Sequence, residues 1–225
     1  MYKFKEYTDD EFFNCKLRGA NNVVSAVIGG STDEGGHYAN VPPSILEAAA
    51  RRGKAVHEYI EEFLKTNDFE KIATTNSGPE PQWIEPKVDL EFDIYWYQFM
   101  KWLKERCQIL EVIGVETKLI SEELACKGVI DFIGIVKTDT SEKPALVMVD
   151  WKTSSSLDEF RTQCQLGVYL ELLFDQYPDL AERVEELRVL QINKSGYRWF
   201  NFPIDRKLIQ SILYIYKNYK RCDHE

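Results

Sequence analysis

The run Ala145-Leu146-Val147-Met148-Val149 sets the tightest limit on what this chain can fold into. Five successive apolar residues leave no polar face for solvent. The segment 145–151 therefore reads as a strand buried on both sides. Such a strand needs structure above and below it, and the flanking patterns supply it. Residues 111–120 and 127–136 read as two further strands. The polar stretch 138–143 reads as the turn pairing 127–136 with 145–151 in a hairpin. Residues 187–192 and 197–202 read as two more strands that turn at Ser195-Gly196. Pro42-Pro43 precedes Ser44-Ile45-Leu46-Glu47, a capping-box pattern predicting a helix to about residue 65. Residues 87–105 read as a helix. Ser156-Leu157-Asp158-Glu159 reads as a second capping box, opening a helix to about residue 174. A last helix is expected over 205–220. Residues 29–36 and 75–81 are Gly- and Pro-containing loops. The expected fold class is α/β, a central mixed β-sheet flanked by helices, in one domain over 1–225. Residues 1–105 form a mainly helical N-terminal part and 106–225 the α/β core.

Bulk properties exclude several classes. There is no membrane-length apolar run and no apolar stretch after Met1-Tyr2-Lys3-Phe4-Lys5-Glu6, so an intracellular, cytoplasmic protein is expected, with no membrane partner. The five cysteines, Cys15, Cys107, Cys126, Cys164 and Cys222, include no C-x-x-C pair. Neither a zinc site nor an iron–sulfur cluster is expected, and the thiols should be reduced and mostly buried. A net charge of -9 disfavours nonspecific nucleic-acid binding by charge alone, yet a local basic groove is compatible with an acidic chain.

The chemistry-bearing pattern is D/E-x-K, which occurs at Glu85, Glu116, Asp150 and Asp205. Glu85 lies among prolines, and Asp205 sits where a helix start calls for an acid. Glu116 is on a strand with no suitably spaced acid in a hairpin strand before it. Asp150 ends the buried run, and Lys152, two residues on in extended chain, points the same way off the sheet. If the hairpin forms, Asp131 of Gly128-Val129-Ile130-Asp131 comes within reach of Asp150 and of one divalent ion. Two adjacent carboxylates repel and are costly to bury without a cation. Mg²⁺ takes oxygen ligands and keeps waters, one of which can act as nucleophile, while the lysine can orient that water or offset charge on a phosphorane. The pattern alone is equally an Asp/Lys ion pair at a sheet edge.

Taken in order, Gly53-Lys54-Ala55-Val56-His57, Glu116, Gly128-x-x-Asp131, Asp150-Trp151-Lys152-Thr153-Ser154 and Gln165-x-x-x-Tyr169 resemble the motifs of the PD-(D/E)XK nucleases, most closely the RecB-type exonuclease branch. The resemblance spans residues 53–169. Ile130 stands where the family often has proline. The resemblance implies a restriction-endonuclease-like core and a metal-dependent deoxyribonuclease using one or two Mg²⁺ or Mn²⁺ ions. Asp131 and Asp150 would be metal ligands, joined by the Trp151 carbonyl, His57 and Glu116, with Lys152 as the catalytic lysine. Gln165 and Tyr169 would sit near the scissile phosphate. It also implies an exonuclease favouring single-stranded DNA ends, acting in recombination or repair, of phage type, and partnered by a single-strand-binding or recombination protein. The helical N-terminal part would cover the active edge as a channel. An endonuclease of the same fold, or a non-catalytic DNA-binding module, is the alternative; retention of Asp131, Asp150 and Lys152 weighs against the latter.

The residues themselves extend this reading. Arg161, Gln165 and Tyr169 share a helix face at i, i+4, i+8, a spacing suited to gripping a phosphate backbone. Thr153 and Ser154 can donate to a phosphate or simply precede a helix. Arg52, with Arg51 and Lys54, is the best local phosphate-tracking patch. His57 is expected at the edge of a helix whose Val56, Ile60 and Phe63 face the core. The recurring Phe92, Tyr95, Trp96, Phe99 and Trp102 read as core rather than as a base-stacking stripe, and Tyr197, Trp199 and Phe200 as packing.

Overall fold

A computed structural model describes residues 2–30, 40–69, 83–140 and 142–220. The expected loop at 75–81, most of that at 29–36 and Cys222 lie outside the described residues. Six strands form one sheet: β1 (Arg18–Gly19), β2 (Cys107–Ser121), β3 (Cys126–Thr138), β4 (Ala145–Lys152), β5 (Glu186–Asn193) and β6 (Gly196–Phe202). Their spatial order is β1-β3-β4-β5-β6, with β2 also paired to β3. The β1–β3 and β4–β5 pairs are parallel and the others antiparallel, so the sheet is mixed. Helices α1 (Asp9–Phe13), α2 (Ala20–Ile28), α3 (Pro43–Thr66), α4 (Asp93–Arg106), α5 (Glu159–Gln176), α6 (Pro178–Ala181) and α7 (Arg206–Ile215) accompany it.

Strand alternation explains the layering. Leu146 and Met148 of β4 join the core formed with α2, α5 and α7, where Val23, Leu166, Leu172 and Ile212 are buried. Val147, Val149 and Trp151 point the other way, into the core formed with α3 and α4. The run Leu146-Val147-Met148-Val149 is therefore buried on both faces, as a period of two requires. Val56, Ile60 and Phe63 are fully buried. The stripe Phe92, Tyr95, Trp96, Phe99 and Trp102 is core, with Trp102 and Phe99 packed edge-on against Trp151.

Several boundaries differ from expectation. The helix expected over 87–105 begins at Asp93; before it, Asp89 accepts hydrogen bonds from the amides of Glu91 and Phe92, through its side chain and carbonyl respectively, and so holds a turn. The Ser44 capping box does not form, because Pro43 already occupies the first helical position and Pro42 is the cap. At the start of α5 the cap is Asp158, which accepts from the Arg161 amide, and not Ser156. Asp205 does cap α7, and the expected closing helix turns π-helical over Tyr216–Lys220. The N-terminal part is not only helical: β1 adds a short strand to the sheet.

β1 also exposes the key irregularity. One edge of β3 is paired along its length by β2. The other edge carries β4 from Phe132 to Val136 and β1 at Cys126 and Lys127. Between them, among the described residues, 128–131 has no strand partner on that edge. β3 and β4 part immediately beyond the Phe132–Val149 pair, and Asp131 and Asp150 are the first residues past the fork.

Candidate metal centre

Asp131 sits in the mouth of this fork, where its Oδ2 accepts a hydrogen bond from the Trp151 amide at 2.7 Å. The carboxylate thus stands in for the missing strand partner. On the β2 side, Glu116 falls between the Val115–Phe132 and Thr117–Ile130 pairs and so lies opposite Asp131. Glu116 has φ 48, in the left-handed region that glutamate rarely occupies. Strain of this kind persists only when the surroundings impose it, and it clusters at functional sites. The third member comes from α3, one residue after buried Val56. His57 Nδ1 lies 3.5 Å from Glu116 Oε1 and 3.6 Å from Asp131 Oδ2. The donor atoms of His57, Glu116 and Asp131 all fall within 4.8 Å of one another.

Burial and mutual charge perturb the titratable groups of this cluster. Burial pushes the Asp131 carboxyl upward, an effect His57 offsets and Asp150 and Glu116 reinforce. Burial works against a charge on His57, but Asp131 first, and then Glu116 and Asp150, outweigh it and raise the imidazole to about 9. A divalent cation held among these carboxylates would offset the same negative charge that favours the imidazolium. The donor set fits a divalent ion: carboxylate oxygens suit Mg²⁺ and Mn²⁺, and the imidazole adds a nitrogen donor. His57 Nε2 lies 2.9 Å from the Trp151 carbonyl. With an ion bound, the Nε2 proton would be donated to that carbonyl and Nδ1, deprotonated, would offer its lone pair to the ion.

Asp150 is directed differently. Its Oδ2 lies 2.8 Å from Lys152 Nζ, and its Oδ1 accepts from Lys152 at 3.1 Å and from Gln165 Nε2 at 3.4 Å. Lys152 also donates to Gln165 Oε1 at 3.2 Å. The Gln165 amide in turn donates to the Tyr169 hydroxyl at 2.7 Å. Gln165 therefore orients Lys152 and Asp150 directly, while Tyr169 is buried one step behind, its phenol pushed upward by that burial. Gly128 explains how Tyr169 fits, since a Cβ there would meet the Tyr169 ring at 2.7 Å.

Other expected residues divide in the same way. Arg52 lines the cleft that opens over the site, donates to Thr153 Oγ1 at 3.4 Å and lies over the Tyr95 ring. Ser154 lines it too, and its carbonyl accepts from Gln191 Nε2 at 2.8 Å. Arg161 reaches the cleft with its guanidinium engaged by Ser25 Oγ, the Gly29 carbonyl and Asp158. It ties α5 to α2. Gln191 escaped the sequence reading, although it is fully buried and paired in register with Lys152. A polar residue inside the apolar stretch Val189-Leu190-Gln191-Ile192 was the available signal.

A forked mixed sheet carrying clustered carboxylates, a histidine and a lysine is an α/β fold with a cluster that could hold a metal ion. The sequence profile of the PD-(D/E)XK nuclease superfamily matches residues 34–210, and the chain belongs to that superfamily. No curated protein matches it. Among solved structures it is similar to the crystal structure of SSO0001, at 18% identity and a TM-score of 0.27, with 59% of this chain and 61% of that one covered. This chain thus spans less than two thirds of that protein. Among the described residues no helix is long and apolar enough to cross a membrane.

Proposed function

We propose that this protein is a divalent-metal-dependent DNA exonuclease that favours single-stranded ends. One observation carries the reading: the His57–Glu116–Asp131 cluster and the Lys152–Asp150–Gln165 group meet beneath one cleft lined by His57, Trp151 and Lys152. Asp131, Glu116 and His57 Nδ1 would hold Mg²⁺ or Mn²⁺, with Asp150 and the Trp151 carbonyl beside them. When bound, such an ion neutralises phosphate charge and makes a water acidic enough to supply hydroxide. Asp150 and Gln165 fix the Lys152 ammonium so that it donates hydrogen bonds to the phosphate oxygens as charge builds on them. The bond from water oxygen to phosphorus forms as the bond to the leaving sugar oxygen breaks, and that oxygen takes up a proton. Thr153, Ser154 and Arg52 would steady the adjoining backbone, and Tyr169 would hold Gln165 in place. α2 and α3 wall the cleft, which supports a channel for one strand.

The test is cleavage of linear and circular single-stranded DNA with Mn²⁺ or Mg²⁺. Linear strands should be degraded, EDTA should stop the reaction, and circles should survive. Asp150→Ala and Lys152→Ala should each lower kcat by about 10²-fold or more while the far-UV spectrum stays unchanged. Undiminished cleavage by either variant would sink the mechanism, and rapid opening of circles would replace the exonuclease with an endonuclease.

A further inference from the structure

Helix α3 starts well before it reaches the core. Its buried side chains are Val56, Ile60, Phe63 and Leu64, all in the second half. The first turns carry Ile45, Leu46, Ala48 and Ala49, which are exposed or half-buried and line the cleft above the metal centre. Ile45 is 57% exposed. An apolar helix face left in water contributes nothing to folding and invites an apolar ligand.

The rest of the cleft has the opposite character. Hydroxyls of the 153–156 segment and the amides of Asn21 and Asn22 on α2 line it. Hydroxyl and amide donors are regular partners of nucleic-acid phosphates. The cleft measures about 1560 Å³, beyond the roughly 300–1000 Å³ of a small-molecule site. Its floor holds His57, Trp151 and Lys152, so its occupant must present a phosphodiester there. A ligand with an apolar flank and a phosphate flank is an unpaired strand, because in a duplex the base faces are hidden in the stack.

We propose that the first turns of α3, through Ile45 and Leu46, are a base-facing wall that makes the cleft selective for unpaired nucleic acid. The proposal rests on the nuclease reading and assigns the residues that set its strand preference. Bases pack on the aliphatic wall, and the sugar-phosphate chain follows the hydroxyl and amide side into the metal centre.

Binding in EDTA, where no turnover occurs, tests it with three labelled probes: a single strand, an abasic strand of equal length, and a blunt duplex. The wild-type protein should bind the ordinary strand about tenfold more tightly than either of the others. Ile45→Ser/Leu46→Ser should lose that preference and keep its affinity for the abasic strand; Ile45→Leu should retain the preference. Both positions bury nothing in the core, so circular dichroism of the double variant should match the wild type. Equal wild-type binding of ordinary and abasic strands overturns the wall even if the protein still cleaves DNA. Absence of both binding and cleavage overturns the wall and the nuclease reading together. Light scattering covers a second copy as occupant: a dimer dissociated by the double variant, with probe preference unchanged, also overturns the proposal.

Discussion

At the scale of single residues, Glu116 carries the most information. Its left-handed backbone is costly, and its carboxylate faces a second, buried one beside His57. Substitution can separate the two costs. Glu116→Ala and Glu116→Gly both remove the carboxylate, but only alanine keeps a Cβ at positive φ. In ordinary helix and strand positions alanine is the more stable of the two; here the order should reverse, with glycine ahead by about 1 kcal/mol in urea unfolding of the metal-free protein. Both variants should lose most of the thermal stabilisation that Mn²⁺ gives the wild type, since a ligand that binds only the folded state raises stability in proportion to its affinity. An alanine variant as stable as the glycine one would show that the backbone at 116 is not strained.

At the scale of elements, β3 and α5 meet where Gly128 lies against Tyr169. The contact is tight because α5 packs on the face of β3 off which position 128 projects. A methyl group at 128 would have to displace the Tyr169 ring, an overpacking cost of about 1–3 kcal/mol. Moving that ring also loosens its hydroxyl from Gln165, and Gln165 from Lys152. Gly128→Ala should therefore lower the melting temperature and reduce kcat more than it raises KM. Pairing it with Tyr169→Leu, which makes room, should recover part of the stability but not the rate. Full activity in Gly128→Ala would remove Tyr169 from the chain of contacts that orients Lys152.

At the scale of the whole molecule, the two cores set a pH limit. Burial pushes the Cys107 and Cys126 thiols from 9.0 up to about 12. Each stays protonated in the fold and ionises once the chain unfolds. The folded pKa is the raised one, so stability is full below pH 9 and is lost as pH climbs toward 12. At pH 10 the loss is roughly 1 kcal/mol per thiol. Urea midpoints at pH 8 and pH 10 should fall accordingly, and Cys126→Ala should flatten that slope whatever it does to the absolute stability. A slope unchanged in the variant would mean that other groups govern the alkaline limit.

The α/β class, the hairpin of β3 and β4, the buried run ending at Asp150 and the aromatic core were legible in the sequence, because each rests on local periodicity and burial preference. So were the members of the candidate site, as spaced motifs. Their grouping was not. Asp131 and Asp150 emerge together as expected, yet Asp131 joins His57 and Glu116, while Asp150 turns to Lys152 and Gln165. That division depends on where two strands part, on a strained residue in β2 and on a histidine delivered from the opposite layer. The roles of Gly128, Gln191 and β1 likewise arise from contacts between segments distant in the chain, which no local pattern records. Sequence determined which elements form and which side chains are available for chemistry; only the tertiary fork in the sheet decided which of them share a charge.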